Sequence, residues 1–202
     1  MVKRSHSRVG AWRLPVALAA MLAAGSSWAQ WTLEGADSEV NFVSIKNASV
    51  AETHSFGSLQ GSISEAGEIA VSIDLGSVAT GIEIRDERMR EILFEVVKFP
   101  TAMVSATVSP DILDAVTAGG AVTTELPVTV TLHGVEKPLL ITVRAVGQVG
   151  GKLHVFTPRP VVVNAADFDL GAGVVALQQI AGLASISTAV PVTVNLVFAH
   201  AP

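Results

Sequence analysis

The 202-residue chain has no cysteine and no tyrosine, and only 5% of it is aromatic. The lack of cysteine excludes a disulfide framework, a thiolate nucleophile and any Cys-based zinc site. With so few rings, the core must be built from aliphatic side chains. After residue 29, no apolar run reaches the roughly 20 residues a transmembrane helix requires. Reactive signatures are missing too: there is no Gly-x-Ser-x-Gly elbow and no His-Glu-x-x-His pair. Gly147-Gln148-Val149-Gly150-Gly151-Lys152 lacks the spacing and the hydroxyl residue of a phosphate-binding loop, and reads as a hairpin turn. His54, His133, His154 and His200 show no helix-type ligand spacing, so neither a metal nor a cofactor is expected.

Positive charge is scarce except at the front. Lys3, Arg4, Arg8 and Arg13 precede an apolar run over residues 14–24, followed by Ser27, Trp28 and Ala29. A basic start, a short apolar stretch and small residues before a cut make an export signal over 1–29, cleaved after Ala29. The sequence therefore predicts one domain over 30–202 in the periplasm. Four of the thirteen basic residues lie in that front segment and none of the eighteen acids does. The remainder carries nine bases against eighteen acids. Such a surface repels nucleic acid and anionic headgroups, leaving membrane contact transient and apolar.

What is abundant is Val, Ile and Thr in two-residue alternation. Ile69, Val71, Ile73 and Leu75 alternate with Glu68, Ala70, Ser72 and Asp74. Val122, Thr124, Leu126, Val128, Val130 and Leu132 share one face of a second segment, and Val190, Val192, Val194, Leu196 and Phe198 share one face of a third. Each reads as a half-buried strand. Further strands are expected over 40–45, 53–63, 101–109, 139–146, 153–156 and 161–164. Gly-bearing turns of hairpin length separate them, which predicts an all-β antiparallel meander. About eight such strands avoid exposed edges by closing into a barrel. Residues 82–97 break the pattern, with Ile82, Met89, Leu93 and Val96 at helical spacing. Thr80 and Glu83 suggest a capping box for this short helix. A second helical piece is expected over 174–180.

Several segments together resemble the YceI-like family. They are Ser38-Glu39-Val40-Asn41-Phe42, Arg85-Asp86-Glu87-Arg88-Met89-Arg90 with Leu93-Phe94, and Lys98-Phe99-Pro100-Thr101. Leu132-His133-Gly134-Val135-Glu136-Lys137-Pro138 and Asn164-Ala165-Ala166-Asp167-Phe168 complete the set, in family order across residues 31 to 198. The resemblance implies an extended eight-stranded antiparallel barrel, lipocalin-like in outline, with a helix beside it. It also implies a periplasmic protein that holds an isoprenoid quinone, polyprenyl chain or other long-chain lipid in the lumen, with no catalytic residues. The chain departs from the family pattern in three places. One extra residue after Phe42 suggests a bulge, Arg88 stands where the family has histidine, and Ala165 stands where it usually has arginine.

Energetics constrain the cargo. Micromolar affinity requires about 8 kcal/mol net, on top of roughly 4–15 kcal/mol lost on association. At ~0.8 kcal/mol per methylene, some 15–30 buried methylene equivalents are needed, so a polyprenyl tail suffices and a short acyl chain is marginal. Lining residues expected from alternation and family fit are Phe42, Ile73, Leu75, Met89, Leu93, Phe94, Val104, Val130, Phe168 and Val194. Two other readings stand beside carriage. One is a partner in a membrane redox or envelope-stress system that acts through its surface. The other is a lipid-modifying enzyme with His54 or His133 as base, which needs an inward histidine beside a carboxylate. Valine-rich faces and edge strands suit a homodimer.

Overall fold

Alternation becomes strand along most of the chain in the computed structural model, which describes residues 29–200. The expected export segment over 1–29 therefore lies outside the described residues except for Ala29. The strands are β1 (Ala29–Leu33), β2 (Glu39–Lys46), β3 (Val50–Phe56), β4 (Leu59–Ser64), β5 (Glu68–Asp74), β6 (Val78–Ala79), β7 (Thr101–Thr107), β8 (Ala121–Leu132), β9 (Val135–Gly147), β10 (Lys152–Phe156), β11 (Val161–Asn164) and β12 (Ala189–His200). The order β1-β4-β5-β7-β8-β9-β10-β12 returns to β1, so eight antiparallel strands close a barrel. The other four strands lengthen its staves. The long β12 shows how: Phe198 pairs with Leu33 of β1, while Val192 pairs with Phe42 of β2 and Val161 of β11. Closure leaves few unpaired edges.

The staves are interrupted where side chains or glycines compete with the ladder. The expected single strand over 53–63 is split at Gly57 and Ser58, and a 3-10 turn, Leu75–Ser77, separates β5 from β6. In that turn the Asp74 carboxylate accepts the Gly76 N–H at 2.8 Å, an Asx turn that draws the chain out of the sheet. The bulge expected after Phe42 is not there. The β2–β3 register runs unbroken from Val40–Phe56 to Lys46–Val50, and a turn over 47–49 joins the two strands. Asn47 and Ala48 take left-handed φ of 49° and 65° in that turn.

The expected helix is two pieces, α1 (Glu83–Arg88) and a π-helical turn, Met89–Leu93. Phe94 N–H reaches Met89 O at 2.9 Å, a five-residue spacing that sets both side chains on the buried face. The Thr80–Glu83 capping box does not form. The helix starts two residues late for it, and Asp86 reaches back instead, accepting the Thr80 N–H at 2.9 Å and its hydroxyl. Two further helices are α2 (Pro110–Thr117) and α3 (Gly171–Ile180). The sequence reading missed α2, although Ser109-Pro110 is a fitting N-cap and first helical residue.

Packing divides into two ends. Leu113 and Val116 of α2 pack with Trp31, Leu153 and Phe198 at one end. At the other, Met89, Phe94, Leu170 and Val174 close around Leu75, Phe42 and Phe168. The two-residue turn between β8 and β9 anchors this second end. His133 and Gly134 have φ of 52° and 76°, as a type I′ turn requires. His133 Nε2–H donates to the Glu95 carboxylate at 3.1 Å, and its ring lies tilted against Phe99 with centroids 4.4 Å apart. A Cβ on Gly134 would come within 2.8 Å of that same ring.

Candidate functional site

Inward-facing residues of the staves enclose a cavity of about 630 Å³. That volume lies within the range of sites that bury a small organic ligand. Small side chains make the room: Ala102, Val104 and Ala106 of β7 line it, opposite Val128 and Val130 of β8. Ile63 and Phe198 line the cavity at 2% and 1% exposure, whereas Trp31, Leu113 and Val116 from the same cluster do not line it. The lumen therefore ends against α2. At the opposite end Ile82 and Ile84 both line the cavity and stand about half exposed, which marks the mouth.

Of the ten residues expected to line the lumen, nine do: Phe42, Ile73, Leu75, Met89, Leu93, Phe94, Val104, Val130 and Val194. Phe168 does not. It is 1% exposed and packed in the cluster with Leu170 and Val174. The Asn164 side chain accepts the Ala166 N–H at 3.2 Å and starts a 3-10 turn, Ala165–Phe168. Strand alternation stops there, so it no longer tells which way Phe168 points. The sequence reading missed the contribution of α3, whose Val174 and Leu177 also line the cavity.

A polar group also stands at the mouth. Among the lining residues, the ionisable ones are Lys46, Glu52, His54, Arg85 and Arg88. The signal was present, since Val40, Phe42, Ser44 and Lys46 share one face of β2, and Glu52, His54 and Phe56 share one face of β3. Pairing sets Phe42 opposite His54 and Ser44 opposite Glu52. One Glu52 oxygen accepts from Lys46 Nζ at 2.8 Å and the other from Arg85 Nη1 at 2.6 Å. These bonds, that from Lys46 foremost, hold the Glu52 carboxyl below its ordinary pKa. Arg85 also donates to the Thr80 carbonyl at 2.6 Å, so α1 is fastened to β3 across the opening.

His54 is buried, with Nε2 2.8 Å from the Ser44 hydroxyl and its ring 5.1 Å from that of Phe42. Burial holds its pKa below the ordinary histidine value, and the Arg85 cation acts in the same direction. Among the described residues, His54 Nδ1 and Arg85 Nε are buried with no hydrogen-bond partner. Among the described residues no carboxylate bonds His54, and Glu52 on the same face of β3 has both oxygens engaged. The described residues include no group of three or more His, Asp or Glu able to hold a metal ion.

A barrel of this length, closed at one end and hollow, with α1 clasped over its mouth, can be compared with known proteins. The YceI-like domain family matches residues 31–198. The chain belongs to the YceI-like family. A structure similar to this YceI-like barrel is titled a polyisoprenoid binding domain from Saccharophagus degradans implicated in plant cell wall breakdown. It is 35% identical, with a TM-score of 0.83, and the match covers 86% of this chain and 100% of that one. Burkholderia cenocepacia BcnA shares the fold at 18% identity and a TM-score of 0.61, over 82% of this chain and 98% of that one. No curated protein matches this YceI-like chain.

Proposed function

We propose that this protein is a periplasmic carrier that holds the hydrocarbon tail of an isoprenoid lipid in its barrel. The observation that carries the reading is the apolar lumen of about 630 Å³, closed at one end by α2 and open beside α1. A cavity lined by aliphatic side chains has few polar groups to offer a hydrophilic metabolite, and burying a polar solute there would cost several kcal/mol. A long apolar tail gains from each methylene it removes from water. The polyisoprenoid-binding relative at 35% identity supports the isoprenoid class. The export signal at residues 1–29 supports the compartment, and loading from a bilayer would need only transient contact at the mouth.

Binding rather than turnover fits the mouth chemistry. Ser44 and His54 are at the distance of a nucleophile and its base, but His54 lacks the third group that would orient its ring for base catalysis. The test is native mass spectrometry of protein purified without detergent. Carriage predicts an added mass that organic solvent extracts and that carries an isoprenoid fragmentation pattern. Protein that is bare, and that takes up no polyprenol from vesicles, would count against it.

A further inference from the structure

The lining of the cavity carries the opposite charge balance to the protein around it. The whole chain has thirteen basic and eighteen acidic residues. Yet the charged side chains that line the lumen are three cations, Lys46, Arg85 and Arg88, and one anion, Glu52. Glu52 is fully used, one oxygen on Lys46 and the other on Arg85. Asp86, next in sequence, turns its carboxylate to Thr80. Arg88 has no carboxylate within ion-pair distance among the described residues. Arg85 keeps a buried Nε–H without an acceptor. A guanidinium always carries its charge and only donates. Leaving donors and a cation uncompensated against an apolar lumen is unfavourable, so the arrangement is suited to an oxygen-rich anion arriving there.

From this we infer that the mouth is an oxyanion site: the cargo is an amphiphile whose anionic head, a carboxylate or a phosphate monoester, sits between Arg88 and Arg85 while its tail fills the barrel. The inference rests on the carrier reading and adds the class of head. Arginine suits this role because its planar fork matches both kinds of oxyanion. The direction of the ligand follows from the fold. The far end, at Ile63 and Phe198, is wholly apolar and sealed by α2, so the head stays at the half-exposed rim.

The test compares three probes with one C20 isoprenoid chain, ending in a phosphate, a carboxylate or an alcohol. Each is titrated into lipid-stripped protein, and its affinity is read by calorimetry. A charge-assisted hydrogen bond predicts roughly tenfold or tighter binding of the phosphate or the carboxylate over the alcohol. Arg88→Gln should erase that preference by weakening the two anionic probes more than the alcohol. The preference should also shrink at high salt. If Arg88→Gln does not fold by circular dichroism, Lys46→Met reads the same electrostatics from the other wall. A preference for phosphate alone, or for both anions, supports the site and names its source. Equal affinity for all three probes, or equal weakening of all three by Arg88→Gln, overturns the oxyanion site and leaves carriage standing. Failure of all three to bind overturns carriage and the oxyanion site with it.

Discussion

Arg85 Nη1 lies 2.6 Å from Glu52 Oε2 and joins α1 to β3 directly over the mouth of the barrel. Both side chains are partly exposed, at 26% and 34%, so solvent screens the pair and limits its contribution to stability to about 1 kcal/mol or less. It also borders the mouth through which a tail enters and leaves, so the pair is placed to act on access. Glu52→Gln should therefore speed ligand release several-fold with little change in melting temperature. Stopped-flow transfer of a fluorescent polyprenol to vesicles reads the first quantity, and thermal denaturation the second. A large fall in stability with unchanged release would make the pair structural only.

Filling the lumen should separate folding from binding. Ala106 lines the cavity and pairs with Ile69 on one side and Val128 on the other. A phenylalanine there projects into empty volume rather than into packed neighbours. Ala106→Phe should keep stability within about 1.5 kcal/mol of the parent, since overpacking costs arise where no room exists. It should abolish uptake of a polyprenyl chain. Chemical denaturation and native mass spectrometry check the two halves, and undiminished uptake would show that the tail does not occupy this part of the barrel.

The residues that line the lumen were legible because a strand has a strict two-residue period. Phe42, Val104, Val130 and Val194 follow from alternation together with the family pattern. Phe168 was misjudged because a 3-10 turn has no such period, and nothing in the sequence says which way its ring points once the strand ends. The polar mouth was legible in part. Ser44 and Lys46 continue the face of β2 that carries Val40 and Phe42, but only the pairing of β2 with β3 sets Glu52 and His54 beside them. Helix α2 was lost because its eight residues are too few for a helical period to stand out beside strong strand patterns, although Ser109-Pro110 marked its start.

His54 should make the protein acid-sensitive. Its pKa is lowered in the folded state, chiefly by burial, so the unfolded chain binds the proton more readily. Stability is then complete above the ordinary histidine value near 6.5 and falls as pH drops through the window below it. The slope from one proton cannot exceed about 1.4 kcal/mol per pH unit. His54→Gln keeps a polar side chain facing Ser44 and removes the titration. Urea denaturation between pH 7 and 5 should show a stability loss in the parent that is reduced in the variant. Parallel profiles would mean that other groups control the acid response.

Two glycines at the start of α3 offer a matched test of how α3 packs on the π-helical turn. Gly171 has open surroundings, and a Cβ there would meet Ala166 Cβ at an ordinary 3.8 Å. Gly173 faces the π-helical turn, and a Cβ there would lie 2.9 Å from Ile92 O and 3.0 Å from Leu93 Cα. Backbone atoms cannot swing aside as a side-chain tip can, so α3 or the turn must move. Both substitutions to alanine reduce the freedom of the unfolded chain, worth about 0.4–1 kcal/mol where the site accepts a methyl. Gly171→Ala should therefore stabilise slightly and leave ligand exchange unchanged. Gly173→Ala should cost about 1–3 kcal/mol, displace Leu93 from the cavity wall and accelerate exchange. Denaturation midpoints and vesicle-transfer rates measured on the pair decide it. If Gly173→Ala is as mild as Gly171→Ala in both, the packing of α3 on the π-helical turn does not control the mouth.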